Sequence, residues 1–429
     1  MAETKRSVIK KPVSMVLRLL GPGLVTGAAD DDPSGIATYS QAGAQFGYGL
    51  LWTVFLTTPF MIAIQLVSAR IGRVTGKGLA ANVMELAPRW LVLALVFLLV
   101  LANTFNIAAD IAAMGESLSL VVGGLSHEHA LIFASTSTLL QVFVPYRRYA
   151  PVLKFLTLTL FAYVATALTV DIPWSKALLA AVWPTPTINA NYFLMVVAVL
   201  GTTISPYLFF WQASQEVEEM NQGKIDRPLR ELKKGGDPEL KRIRIDTIVG
   251  MFFSNAIAFF IILTTAAVLN AHGVTNINSA TEAAEALRPL AGDFTFLLFA
   301  LGIIGTGMLA IPVLAGSAAY GVAEAFGWHA TLEAKAPEAV GFYTIIAAAT
   351  VIGFGLGFTG IDAIKMLVWS AVLNGIVAVP IMAMMMVIVA NAKLMGRFKA
   401  RPWLIVLGWI GTALMAVAVI ALFASFFAG

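Results

Sequence analysis

The chain has 429 residues, 59% hydrophobic and only 12% charged, with a mean hydropathy of +0.84. A soluble domain carries about 25% charged residues, so the composition excludes a soluble globular fold and points to an all-α polytopic membrane protein. Zero cysteines exclude disulfides, cysteine metal ligands and iron–sulfur clusters, and the net charge of +4 is read as topology rather than as a sign of nucleic acid.

In chain order the apolar runs predict about eleven membrane helices, each measured against the roughly 30 Å of hydrocarbon it must cross. They are 15–47, 50–70, 90–122, 129–145, 151–170, 192–213, 247–269, 293–323, 341–358, 364–391 and 403–428. The fourth is marginal in length. No small-residue cleavage site follows the basic start, so no cleavable signal peptide is expected. With the N-terminus in the cytoplasm, all of the 28 Lys and Arg except Lys176, Arg288 and Lys365 fall on the cytoplasmic side, and the C-terminus lies outside. The charged stretch 214–246 is expected to be a solvated connection. The outer loops 171–191 and 270–292 are expected to be ordered caps or gates, with Trp174, Trp183 and Tyr192 at the interfaces.

Two of these helices are interrupted. The first holds Gly21-Pro22-Gly23 and then Asp30-Asp31-Asp32-Pro33-Ser34-Gly35, three carboxylates and a helix breaker at bilayer depth. A charge there costs about 2.5–3.5 kcal/mol on insertion scales, and broken backbone is tolerated only inside protein or along a wet cavity. The sixth holds Gly201-Thr202-Thr203-Ile204-Ser205-Pro206-Tyr207, again Gly and Pro around a short polar stretch. Two breaks five helices apart point to an inverted repeat with a midplane site between them. Unwound carbonyls and half-helix C-termini attract cations. The residues therefore predict a cation site formed by Asp32, the carbonyls near Ala29 and Thr202, and the Ser205 hydroxyl.

The run Asp32-Pro33-Ser34-Gly35, followed by Gln41-Ala42-Gly43-Ala44-Gln45-Phe46-Gly47-Tyr48, resembles the first helix of the NRAMP divalent-metal transporters. The helical layout is similar across nearly the whole chain. The resemblance implies a LeuT-type fold with a 5+5 inverted repeat, helices one and six broken. One transporter domain over 1–429 is expected, with 1–170 and 190–391 as the repeats and 403–428 as an extra helix. The departures matter as much. The family's Asp-Pro-Gly-Asn is Asp32-Pro33-Ser34-Gly35 here, so Gly35 stands at the metal position of the lost Asn. Its Met-Pro-His is Ser205-Pro206-Tyr207, which replaces a soft thioether by a hard hydroxyl. Oxygen donors suit magnesium and calcium, and magnesium prefers to keep waters. The pattern is most like the NRAMP-related magnesium transporters.

Other polar positions stay open. Asp30 and Asp31 either contact the waters of the ion or line an aqueous vestibule. Asp110 aligns with the family's helix-three proton-path Asp, or serves as a structural acceptor. The family's other titratable positions are Ala113, Tyr207 and Gln212 here, of which only Tyr titrates, near 10. Tyr207 and Asn374 are expected beside the ligands, Asn374 alternatively as a helix-packing amide. Glu116 is expected at the outer vestibule or against a polar partner. His127, His129, His272 and His329 are placed in loops, Met384-Met385-Met386 in packing, and the glycine runs 302–307 and 353–360 at close helix approaches.

The resulting expectation is a non-enzymatic, monomeric transporter of the plasma membrane that imports Mg2+, with Mn2+ as a further substrate, without proton coupling, cofactor or nucleic-acid partner. The alternatives are a proton-coupled Mn2+/Fe2+ transporter, a sodium symporter of a small organic solute on the same fold, a non-transporting metal sensor and, least favoured, an intramembrane enzyme.

Overall fold

The computed structural model describes residues 22–145, 148, 155–186, 189–222, 226–232, 234–329, 331–332 and 336–428. Gly21 of the opening motif lies outside them, as do the basic residues at 5–18, Arg147, Lys154, Lys224, Lys233 and Lys335. Long helices dominate: α1 Pro22–Asp30, α2 Pro33–Phe46, α3 Leu51–Thr75, α4 Arg89–Val122, α5 Ser126–Phe143, α6 Phe161–Thr169, α7 Ala190–Thr203, α8 Pro206–Gln222, α9 Asp237–Val268, α10 Thr295–Phe326, α11 Val340–Leu356, α12 Ala363–Ala390 and α13 Pro402–Ala428.

Each predicted membrane segment corresponds to a helix or a broken pair. By length and composition alone, seven helical stretches among the described residues can cross a membrane. The shortfall from eleven has several causes. The stretch Pro33–Thr75 takes in α2 and α3 together, because the turn Gly47–Leu50 is itself helical. The apolar stretch Val340–Leu356 is short, α5 opens with Ser-His-Glu-His, and the predicted segment 151–170 lies partly outside the described residues.

Both interruptions are present. Asp31 and Asp32 separate α1 from α2, and Ile204 and Ser205 separate α7 from α8. Pro33 and Pro206 each start the second half, where a missing N–H leaves no helical bond unmade. Asp32 is the N-cap of α2; its extended backbone lets the carboxylate accept the Gly35 N–H at 2.7 Å.

The broken helices are held against their neighbours by backbone contact at glycine. Gly27 of α1 lies on the Gly250 backbone of α9, and Gly201 of α7 lies on Ala371 and Gly375 of α12. A Cβ at either place would collide with main chain, so these crossings require glycine. The predicted glycine runs are only partly used this way. Gly305, Gly307 and Gly353 pack on neighbouring residues, whereas Gly355, Gly357 and Gly360 face open space.

Several expectations need correction. The charged stretch 214–246 is not simply solvated. Glu216, Glu218 and Asp246 are buried, because α8 and α9 extend through most of it and turn these acids inward. His127 and His129 belong to the first turn of α5 rather than to a loop, and His129 Nδ1 meets Ser119 Oγ at 3.0 Å. Tyr192 is buried rather than exposed; its hydroxyl accepts from Trp52 Nε1 at 3.1 Å. Met385 and Met386 are core residues, as expected.

The loop 270–292 is ordered and caps α2 and α4. The Ile277 N–H donates to Gln41 Oε1 at 2.8 Å, and the Ala280 N–H donates to Glu116 Oε1 at 3.0 Å. On the opposite side, Asp246 of α9 reaches the first turn of α1. Its two oxygens accept from the Gly23 N–H at 2.7 Å and the Leu24 N–H at 3.2 Å. These are helix-start N–H groups with no partner inside their own helix, so a carboxylate from another element satisfies them.

Candidate metal centre

The two breaks meet at the centre of the bundle, and the structure brings the predicted ligands together there. Asp32, Ala29, Thr202, Ser205 and Tyr207 are all buried, as are Asp30, Asp31, Asp110 and Asn374.

Asp32 is the hub. Besides the Gly35 N–H, its carboxylate accepts from Asn106 Nδ2 at 3.0 Å and from the Tyr207 hydroxyl at 3.2 Å. Asn106 is itself oriented by Ser370 Oγ, which donates to Asn106 Oδ1 at 2.6 Å. The Tyr207 hydroxyl also lies 3.1 Å from the Ala29 carbonyl oxygen. One oxygen atom therefore touches two predicted oxygen ligands, the carbonyl near the end of α1 and the carboxylate that caps α2. Tyr207, expected beside the ligands, stands between two of them.

The sixth-helix ligands are nearby but turned inward. Ser205 Oγ donates to the Gly201 and Thr202 carbonyls at 2.8 and 3.0 Å. A hydroxyl that donates backward keeps its lone pairs for a cation. Gly35 supplies a donor to Asp32 rather than an acceptor. A Cβ there would meet the Asp30 carbonyl oxygen and Thr202 Oγ1 at 3.2 Å, so the space that an Asn side chain would need is narrow.

The three consecutive acids diverge. Asp30 and Asp31 turn to Ser254 of α9, whose hydroxyl contacts Asp30 Oδ2 and lies 3.2 Å from Asp31 Oδ1. Asp31 also lines an apolar groove of 270 Å³ with Leu24, Phe161 and Phe253. Among the described residues, no three His, Cys, Asp or Glu side chains converge as a metal-holding group. A cation at the breaks would therefore meet one carboxylate plus carbonyl and hydroxyl oxygens.

Asp110 faces Asp32 and the Ser34 amide, yet neither of its oxygens completes a hydrogen bond. Asp30 Oδ1 and Asn374 Oδ1 are also buried without a partner, Asn374 on the turn of α12 that packs on Gly201. Buried acceptors are normally satisfied, and these four oxygens suit a wet site, although others such as Asn82 Oδ1, Asn103 Oδ1 and Gln141 Oε1 lie elsewhere in the bundle. Sequence reasoning assigned no role to Asn106, Ser254 or Ser370. The available signal was weak: each is a single polar residue in an apolar helix.

An all-α bundle with two helices broken around a buried carboxylate is the architecture of a membrane transporter. The profile of the Nramp family, described as natural resistance-associated macrophage protein-like, matches residues 23–425. The chain belongs to this family. It is similar to the divalent metal cation transporter MntH of Klebsiella pneumoniae (strain 342), at 28% identity over 410 residues, covering 93% of this chain and 92% of that protein. MntH of Yersinia pestis (strain Pestoides F) is 26% identical over 413 residues, covering 92% and 91%. The fold of this chain is that of the Eremococcus coleocola manganese transporter, solved with an aromatic bis-isothiourea compound, with TM-score 0.74 at 15% identity, covering 100% of this chain and 90% of that one. MhsT in complex with L-phenylalanine is a second structural neighbour, with TM-score 0.61 at 13% identity, covering 94% and 97%. The relatives are transporters, not enzymes, and the neighbours are of the LeuT type.

Proposed function

We propose that the protein carries a hard divalent cation, Mg2+ in preference to Mn2+, through the site between the two breaks. The observation that carries this reading is that the Ala29 carbonyl and the Asp32 carboxylate both accept from one hydroxyl, at 3.1 and 3.2 Å from Tyr207, so the two oxygens lie close enough to share one ion. The Tyr207 hydroxyl turns aside for the ion, which contacts Asp32 and Ala29, and Ser205 and the Thr202 carbonyl complete its protein ligands. Gly35 puts no side chain among the ligands, so water takes the remaining positions around the ion. All donors are oxygen, and only one is charged. Such a set suits an ion that keeps part of its hydration shell and gives a softer ion no reason to bind more tightly. Asp30 and Asp31 line the approach, and Asn374 with Asp110 holds waters beside the ion.

Transport is uncoupled from protons in this reading, because Ala113 and Gln212 do not titrate. A negative-inside potential then supplies about 4.6 kcal/mol per 100 mV for a divalent ion, twice the single-charge value. The protein acts as a monomer in a bacterial inner membrane, N-terminus inside, with residues 1–170 and 190–391 as the inverted repeats.

Two observations favour a second reading, a proton-coupled Mn2+ transporter. The relatives are named as divalent metal cation transporters, and one structural neighbour is a manganese transporter. Asp110, in addition, is a buried carboxylate facing Asp32. Uptake of Mg2+ and of Mn2+ into proteoliposomes at clamped voltage, with a pH dye inside, separates the two. Mg2+ entry without acidification supports the first reading. Acidification that tracks Mn2+ entry and is lost in Asp110→Asn establishes the second.

A further inference from the structure

On the side of the molecule that carries most of its basic residues, three separate segments converge on one cavity of 510 Å³. It is lined by Arg70 from α3, Lys241 and Arg244 from α9, and Arg397, Lys399 and Arg401 from the link between α12 and α13. Asp237 is the one carboxylate in the lining. Among the described residues, no carboxylate lies within ion-pair distance of any of these six cations. Basic residues that serve only to set topology need no shared pocket. Here the chain brings them together against their mutual repulsion.

Two of the cations are held in place. Arg70 Nε donates to the Phe398 carbonyl at 2.8 Å. Arg397 donates to the Gly235 carbonyl at 2.7 Å, and its guanidinium lies 4.6 Å from the Phe398 ring centroid. The link is itself tied down by the Ala400 N–H on the Val389 carbonyl at 3.1 Å. Each anchored guanidinium has further N–H donors in a fixed fork, the geometry that matches a phosphate.

The cavity also adjoins an apolar surface. Trp403 and Leu404 complete its lining at the start of α13, and Trp403 is 44% exposed. From there Val406 and Ile410 continue the exposed apolar face at helical spacing. A Trp at the boundary with an apolar stripe beyond it is the arrangement of a headgroup-level anchor, and basic pockets between membrane helices take anionic headgroups.

We propose that this cavity is a binding site for an anionic phospholipid of the adjoining leaflet, its phosphate held by Arg70, Arg244 and Arg401 and its acyl chains along α13. The site is separate from the metal centre and stands whether or not the metal assignment does.

The test is native mass spectrometry of the delipidated full-length protein, titrated with phosphatidylglycerol, with phosphatidylcholine and, as a headgroup without chains, with inorganic phosphate. Wild type is expected to retain phosphatidylglycerol at least about tenfold more tightly than phosphatidylcholine, a difference of about 1.4 kcal/mol. Arg244→Gln/Lys399→Gln/Arg401→Gln is expected to lose that preference. Arg89→Gln/Lys234→Gln/Lys393→Gln removes the same charge elsewhere on that side and should keep it. Arg401→Lys with Lys399→Arg guards against misfolding and should also retain the lipid. Equal loss in both triple variants would reduce the effect to general charge and overturn the site. So would inorganic phosphate that displaces the lipid at equal concentration, or a conservative pair that fails to bind while remaining folded.

Discussion

The protein buries two groups of carboxylates, and they are treated in opposite ways. In the basic half, every buried acid is matched. Glu216 meets Arg242 at 2.7 Å, Glu218 accepts from the Tyr320 hydroxyl and the Leu332 N–H, and Asp246 caps α1; the half-buried Glu324 likewise accepts from the Ala81 N–H and Ser214. At the helix breaks, Asp110 and one oxygen of Asp30 have no hydrogen-bond partner among the described residues. Asp32 is held only by neutral donors: an amide N–H, an asparagine and a tyrosine hydroxyl. A buried carboxylate without a cation is costly, and a protein able to place Arg242 on Glu216 could have paired Asp32 as well. The contrast fits the proposal that the first group latches the fold and the second takes its countercharge from the transported cation.

The largest expected effect breaks the second group. Asp32→Ala should reduce Mg2+ and Mn2+ uptake by proteoliposomes to the level of empty liposomes. Carbonyl and hydroxyl dipoles alone cannot offset the dehydration of a divalent ion. Wild-type-like uptake by correctly inserted Asp32→Ala protein would remove the site from its proposed place.

Next comes the first group. Asp246→Ala should free the start of α1 and leave the Gly23 and Leu24 N–H groups unpaired. An anion at a helix N-terminus contributes about 0.3–2 kcal/mol, so a shift of several-fold toward the open form is expected. The chain has no cysteine, which makes a single Ala28→Cys reporter clean. Its labelling by a membrane-impermeant maleimide from the basic side should accelerate in the Asp246→Ala background. An unchanged rate would mean that Asp246 is no latch.

A smaller effect sharpens the chemistry of the centre. Ser205→Met should raise Mn2+ relative to Mg2+ in competition uptake by supplying a soft donor, and adding Gly35→Asn should raise it further only if Thr202 yields. The Gly35 position has little room, so the folded fraction of the double variant must be measured alongside. No change in the ratio for folded protein would show that donor softness at Ser205 does not set selectivity. The smallest effect is expected for Asp110→Asn. Metal uptake should persist at a similar rate, with the internal pH trace unchanged.

Much of this was legible in the sequence. Asp-Pro-Ser-Gly and Ser205-Pro206 located both breaks to within a few residues, because proline and glycine act locally and need no tertiary knowledge. The pairing of Asp32 with Ala29 followed from the break itself. The partners that define Asp32 could not be read, because Asn106 and Ser370 come from helices far along the chain and carry no local pattern. The latch was missed for the opposite reason. A run dense in Glu, Lys and Arg reads as solvated, and only the inward turn of α8 and α9 buries Glu216, Glu218 and Asp246.

The position of the ion itself is the most direct test. Crystals soaked with Mn2+, which scatters anomalously where Mg2+ does not, should show a peak within coordination distance of the Asp32 carboxylate and the Ala29 carbonyl, absent in Asp32→Ala. A peak at Asp30, Asp31 and Ser254 instead, unaffected by Asp32→Ala, would contradict the account.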